Sequence, residues 1–219
     1  MYDIDTVKKV YSYWGKKKAL YSISSKISFF GYENFLRNRV VGLMKLKEGS
    51  RVLDVACGTG LNFKFIENKI GPSGKIIAID CVKEMLEAAE KEIKSRQYKN
   101  IRLILGDAAS MNFPNNYFDG IVSVLGLTAI PNHFEALKRC KKMLKPYGKI
   151  AILDGKYSDI KYAKFIINSL LKVIRLEETW DSKKDVIKDL GKLFSITKSE
   201  KYFFDTIFIW VGKKYRAYY

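Results

Sequence analysis

Histidine is almost missing from this chain: His133 stands alone, and the three cysteines, Cys57, Cys81 and Cys140, are far apart and never form a CxxC pair. A zinc centre or a disulfide framework is therefore not expected. No uncharged apolar run reaches the roughly 20 residues of a membrane-spanning helix. The opening stretch, MYDIDTVKKVYSYWGKKK, is too charged and aromatic for the apolar centre of a secretory signal. The expectation is a soluble, cytoplasmic protein. Glutamine is reduced to Gln97, which together with abundant Lys and Glu fits a heat-adapted source. Negative charge is also scarce, since 40 Lys and Arg face 23 Asp and Glu for a net charge of +17. Such a balance suits nucleic acid, an anionic membrane surface or a solvated lysine-rich exterior. The lysines are spread along the whole chain, which counts against a dedicated nucleic-acid module with its charge concentrated among aromatics.

What is present supports one core. With 219 residues, 47% of them hydrophobic, the chain is long enough for one domain and a small appendage. From position 51, β-rich apolar runs alternate with helical patterns: RVLDVA, LNFKFIENKI, KIIAID, VKEMLEAAEKEIKSR, IRLILGD, FDGIVSVLG, NHFEALKRCKKML and KIAILD. This alternation predicts a mostly parallel, Rossmann-like α/β sheet with helices on both faces. Turns are marked by GPSGK, FPNNY and KPYGK. After Asp154 an amphipathic stretch (158–176) and a helical segment (181–192) precede FFDTIFIWVGKK, read as the final strand.

RVLDVACGTG ends a buried strand in a turn poor in side chains. In such sheets a ligand lies beyond the carboxyl ends of the strands. Gly58 and Gly60 would let it approach the backbone, and the helix starting near Leu61 would offer N–H groups to a carboxylate. Phe63 stands where a dinucleotide fingerprint has its third glycine, and GxxxxGK[ST] is absent, so a nucleotide phosphate is disfavoured. Asp80 ends the second strand, placed to accept from ribose hydroxyls, and Asp107 ends the third, placed to accept from an adenine amine.

VLDVACGTG, IAID, GDAASMNFPNNYFDGIVS and LKPYGKIAIL, in order between about 50 and 155, resemble the motifs of class I S-adenosylmethionine-dependent methyltransferases. SVLGLTAIPN and IWVGKK are most similar to the quinone C-methyltransferases and the soluble phospholipid N-methyltransferases. The resemblance implies a seven-stranded sheet with an antiparallel final strand, in one domain (1–219) divided into a helical lid (1–48), a cofactor core (49–155) and a helical insertion with the final strands (156–219). It further implies that Asp54 and the turn Ala56, Cys57, Gly58, Thr59 and Gly60 organise the methionine end of S-adenosylmethionine. Asp80 and Cys81 would take the ribose, Asp107 and Ala108 the adenine, and Val124 and Leu125 would line the methyl-donor side. Leu61 and Ser22 depart from the Asp and the Tyr-Asp pair of the quinone enzymes. Cys57 and Cys81 have no basic sequence neighbour and read as turn-lining residues rather than nucleophiles.

A methyl acceptor must shed a proton, so a base near the fourth and fifth strand ends would help. The candidates are Asp154 and His133, each with a structural alternative as a loop holder and a surface or capping residue. Tyr11, Trp14 and Tyr21 are expected on the lid, over the site or packed beneath it. The segment IKYAKFIINSLLKVIR pairs a basic stripe with a broad apolar face, suited to roofing a pocket or lying on a membrane. The favoured acceptor is an amphiphilic or lipid-like molecule, a quinol or aminophospholipid. The alternatives are RNA, protein lysine, a soluble small molecule, or a non-catalytic cofactor-binding subunit.

Overall fold

The computed structural model describes residues 3–17, 31–161, 164–165, 168–169 and 184–214. Along the chain these form α1 (Ile4–Lys16), α2 (Glu33–Leu43), β1 (Arg51–Val55), α3 (Phe63–Ile70), β2 (Lys75–Asp80), α4 (Lys83–Arg96), β3 (Ile101–Leu105), β4 (Phe118–Val124), α5 (His133–Met143), β5 (Leu144–Gly155), α6 (Val186–Leu193), β6 (Phe194–Tyr202) and β7 (Ile207–Lys214). The seven strands make one sheet in the order β3-β2-β1-β4-β5-β7-β6. Neighbours from β3 to β5 pair in parallel, and β7 runs antiparallel between β5 and β6. The expected architecture, antiparallel final strand included, is the one observed.

Two cores follow from the pleat. Successive side chains of a strand point to opposite faces, so Ile121, Ile150 and Ile152 join α5 and α6 on one side, with Trp210. Val122, Ala151 and Leu153 face α2, α3 and α4 on the other. The strands read as continuous apolar runs because both faces are covered. Each fully buried Leu, Ile or Phe contributes about 1.5–3 kcal/mol relative to exposure. Together these two layers hold the strand ends in register.

The strand order reverses at β1, which has β2 on one side and β4 on the other. Here the loops after β1 and β4 diverge to opposite faces and leave a crevice. The amino-terminal segment reaches this edge through α1, where Ser12 Oγ donates to Glu84 Oε1 of α4 at 2.6 Å.

Two local readings change. KPYGK lies inside β5 rather than before it, as a bulge: Phe118 is opposite Leu144, whereas Gly120 is opposite Lys149. FSITKSEKY forms β6, an edge strand buried at Phe194 and otherwise largely open. Its charges suit an edge and hide the apolar alternation of an inner strand. Arg39 of α2 grips Glu200 of β6 through Nε (3.0 Å) and Nη2 (2.5 Å), and this hydrogen-bonded pairing holds the Glu200 carboxyl down to about 2. Most of the predicted amphipathic segment 158–176 lies outside the described residues. Among those described, no helix is long and apolar enough to cross a membrane, and no cluster of His, Cys, Asp or Glu is arranged to hold a metal ion.

Candidate functional site

Beyond the carboxyl ends of β1, β2 and β4 lies a cleft, at the switch point where small-molecule sites of such sheets are found. Its floor is the turn Ala56–Thr59, one wall is Asp80, Cys81 and Val82, another is Gly106 to Ala108, and Val124 to Gly126 with Ala129, Ile130 and Pro131 complete the rim. Ile4, Val7 and Tyr11 of α1 close it from above. Most of the residues expected to hold the cofactor therefore meet in one place. Asp54 and Gly60 do not line it.

The two glycines of the turn have different reasons to be glycine. Gly58 has φ +55°, and a Cβ there would meet nothing within 4 Å; its open side faces the cleft. Gly60 has φ +82°, and a Cβ would fall 2.4 Å from the Phe63 ring. Phe63, fully buried at the start of α3, packs on Gly60. The expectation that both glycines admit a ligand is corrected for Gly60. Ala56 (φ 54°) and Leu125 (φ 58°) are also left-handed and flank the cleft at the ends of β1 and β4.

Beneath the turn runs a buried polar chain. Asn62 Nδ2 donates to both oxygens of Asp54, at 3.0 and 3.2 Å. Its Oδ1 accepts from Arg37 Nη1 at 2.5 Å, and Arg37 Nε donates to Glu33 at 2.8 Å. All four residues are buried, and Arg37 borders the cleft. Burial drives the Asp54 carboxyl up to about 7, against the lowering pull of Asn62 and Arg37. The sequence reading missed Glu33, Arg37 and Asn62. Arg37 lies 25 residues before Asn62, and only the docking of α2 onto α3 brings them together.

Asp80 Oδ2 accepts from Gly58 N–H at 2.8 Å and Oδ1 from Val82 N–H at 3.0 Å. The carboxylate thus shapes the turn and still borders the cleft. Burial raises it to about 6, partly offset by those N–H groups. Asp107 Oδ1 caps the Ala109 N–H at 2.9 Å. Burial pushes Cys81 up to about 12 and Cys57 well above its ordinary value, so both thiols stay protonated, as suits packing residues.

Neither candidate base lines the cleft. Asp154 is buried and accepts from Thr128 N–H (3.0 Å), Thr128 Oγ1 (2.8 Å) and Gly155 N–H (2.8 Å). Those bonds fix the segment after β4 that forms the rim. His133 begins α5, Asn132 makes no side-chain cap, and His133 Nε2 lies 2.9 Å from Asp189 of α6. Both side chains are committed to holding elements together. Of the residues expected on a lid, Tyr11 borders the cleft, Trp14 stacks edge-on against Tyr13 with centroids 5.6 Å apart, and Tyr21 lies outside the described residues.

Residues 3–210 match the ubiE/COQ5 methyltransferase family. The chain belongs to that family. Demethylmenaquinone methyltransferase of Staphylococcus carnosus is 31% identical over 192 residues, covering 88% of this chain and 74% of that protein. Its counterpart in Listeria welshimeri is 28% identical over 166 residues, covering 76% and 70%. Among solved structures, a SAM-dependent methyltransferase from Aquifex aeolicus shares the fold with TM-score 0.61 and 21% identity, covering 82% of this chain and 89% of that one. The [4+2]-cyclase SpnF shares it with TM-score 0.68 and 16% identity, covering 83% and 81%. Since one fold serves both a methyltransferase and a cyclase, the family match and not the fold decides the reaction. This ubiE/COQ5 methyltransferase uses S-adenosylmethionine, and the cleft fits that molecule: an open cradle at Gly58, a guanidinium at one end and carboxylates at two strand ends.

Replacing each glycine by Ala should separate their roles. Gly60→Ala should lower stability by about 2–4 kcal/mol in denaturant unfolding, through left-handed strain and a clash with Phe63. Gly58→Ala should cost only about 1 kcal/mol but weaken S-adenosylmethionine binding in calorimetry. Equal effects on stability would refute the distinction.

The raised Asp54 and Asp80 carboxyls make the cofactor-free protein bind more protons than its unfolded chain between about pH 4 and 7. Stability from these groups is full below the unfolded value and declines as pH rises through about 6 and 7. The rise of Asp54 from 3.8 to about 7 corresponds to at most about 4 kcal/mol. Asp54→Asn should flatten this decline and raise the melting temperature at pH 8, while reducing cofactor affinity. An unchanged pH slope would count against the buried-charge account.

Proposed function

We propose that this enzyme methylates an amphiphilic quinol, of the kind named for its demethylmenaquinone relatives, with an aminophospholipid headgroup as the second candidate. The observation that carries this reading is the apolar rim: Leu125, Ala129, Ile130 and Pro131, opposed by Val7 and Tyr11 of α1, offer a greasy acceptor space beside the donor cradle. S-adenosylmethionine supplies a methyl activated on a sulfonium. The protein's share is to orient the two reactants and exclude water.

In this proposal Gly58 and its neighbours receive the methionine end, and Arg37 pairs with the methionine carboxylate, as a guanidinium suits a planar anion. Asp80 accepts from the ribose hydroxyls, with Cys81 beside it, while Asp107 and Ala108 take the adenine. Asp54 holds Asn62 and Arg37 in place. Val124 and Leu125 present the acceptor to the donor. Asp154 and His133 act as positioning residues, Asp154 by fixing the rim through Thr128. The chain works as a soluble cytoplasmic domain, with α1 as its lid.

The deciding experiment supplies methyl-labelled S-adenosylmethionine with lipid, RNA and protein fractions. Label should enter the quinol of the lipid fraction; incorporation only into RNA or protein would sink this reading. Asp80→Ala should weaken cofactor binding at least about tenfold, the loss of one charge-assisted contact, and unchanged affinity would refute the ribose assignment. Asp154→Asn should raise the acceptor KM and leave the pH profile of kcat in place. A kcat collapse with a shifted profile would instead make Asp154 the base.

A further inference from the structure

Two phenylalanines occupy a turn whose backbone disfavours them. Between β6 and β7, Phe203, Phe204 and Asp205 are all left-handed, with φ of 49°, 56° and 65°, a region that favours Gly or Asn over bulky side chains. The turn is held firmly, because Thr206 N–H (3.2 Å) and Oγ1 (2.6 Å) both donate to the Phe203 carbonyl. Lys201 also reaches Asp205 at 2.7 Å. Burial does not account for Phe204, which is 65% exposed. Tyr32 meets the Phe203 ring edge-on at 5.9 Å and Phe35 at 6.4 Å, and these two are 57% and 56% exposed. Phe203 packs partly on the core, and with it the exposed rings of Tyr32, Phe35 and Phe204 form an outward aromatic patch, which is uncommon on a surface without a partner.

The patch sits beside the site. Gly155, at the carboxyl end of β5, pairs with Ile207, so the β6–β7 turn projects from the sheet edge that bears the cleft. Helix α2 puts Arg37 on the cleft and Phe35 on the opposite, open face. Lysines lie on the neighbouring segments. Lys64 donates to Asn34 at 2.9 Å, the Lys156 N–H bonds the Thr206 carbonyl, and Asp159 is within electrostatic reach of Lys156, Lys164 and Lys201. Asp159 pairs with Lys156 and Asp205 with Lys201, so the excess positive charge near the rings comes from Lys64 and Lys164.

We infer that this aromatic patch docks the enzyme on an anionic lipid bilayer, its rings entering the interface and its lysines meeting headgroup phosphates. The inference rests on the lipophilic acceptor proposed above, which would enter the cleft from that bilayer. Aromatic rings bordered by lysines are the composition that binds an anionic interface. Charge decides the occupant, for a second copy would bring another +17 chain against the same lysines.

The test is co-sedimentation with vesicles of phosphatidylcholine, with and without phosphatidylglycerol, across a salt series. The wild type should bind the anionic vesicles and be released by salt. The double variant Phe35→Ser, Phe204→Gly should partition at least about tenfold less with unchanged cofactor affinity. Phe204→Gly alone should hold or raise the melting temperature by relieving the left-handed strain, which separates lost docking from lost folding. Equal partitioning of wild type and variant would overturn the inference. So would a wild-type dimer in ultracentrifugation that the variant abolishes without any vesicle binding. A water-soluble short-chain quinol, turned over equally by both forms, keeps the two proposals apart. If it is methylated while partitioning is unaffected, the docking face alone fails. If no quinol is methylated but vesicle binding still depends on the patch, the acceptor reading fails and the docking face stands.

Discussion

A buried acid held by an amide and a guanidinium organises this site. Asp54, Asn62, Arg37 and Glu33 connect the last turns of β1, the start of α3 and the inner face of α2. A carboxylate taken so far from water is costly unless its lone pairs are satisfied. The network therefore constrains where α2 can sit. That placement puts Arg37 at the cleft and closes the core above β1, so the packing of one helix and the chemistry of the cradle share a single set of bonds.

Asp80 does comparable work from the neighbouring strand. By accepting the Gly58 N–H it ties the end of β2 to the turn after β1. The same carboxylate borders the cleft, so the shape of the turn and the lining of the cleft are coupled there as well.

The fold was largely legible because its strands are buried on both faces and punctuated by turns. Asp80 and Asp107 were legible because a carboxylate at a strand end needs only the strand to be recognised. Arg37, Asn62 and Glu33 carried no such signal, since helix docking and not sequence adjacency unites them. Gly60 is ambiguous in the sequence because a glycine making room for a ligand and one making room for Phe63 look alike in a string of letters. Edge strand β6 was hidden by its own charges. Asp154 was placed at the correct edge, but whether its oxygens were already engaged depended on Thr128, 26 residues away.

Ala56 and Leu125, left-handed at the ends of β1 and β4, have a consequence for how a ligand arrives. Non-glycine residues remain in that conformation only where their surroundings over-determine it, and here the surroundings are two adjacent inner strands of a packed sheet. The cradle is thus preorganised by the core, and the entropy lost on binding is confined mainly to whatever closes above it. Changes in residence time should then trace to the covering helix, and the strand ends should look the same with or without a guest.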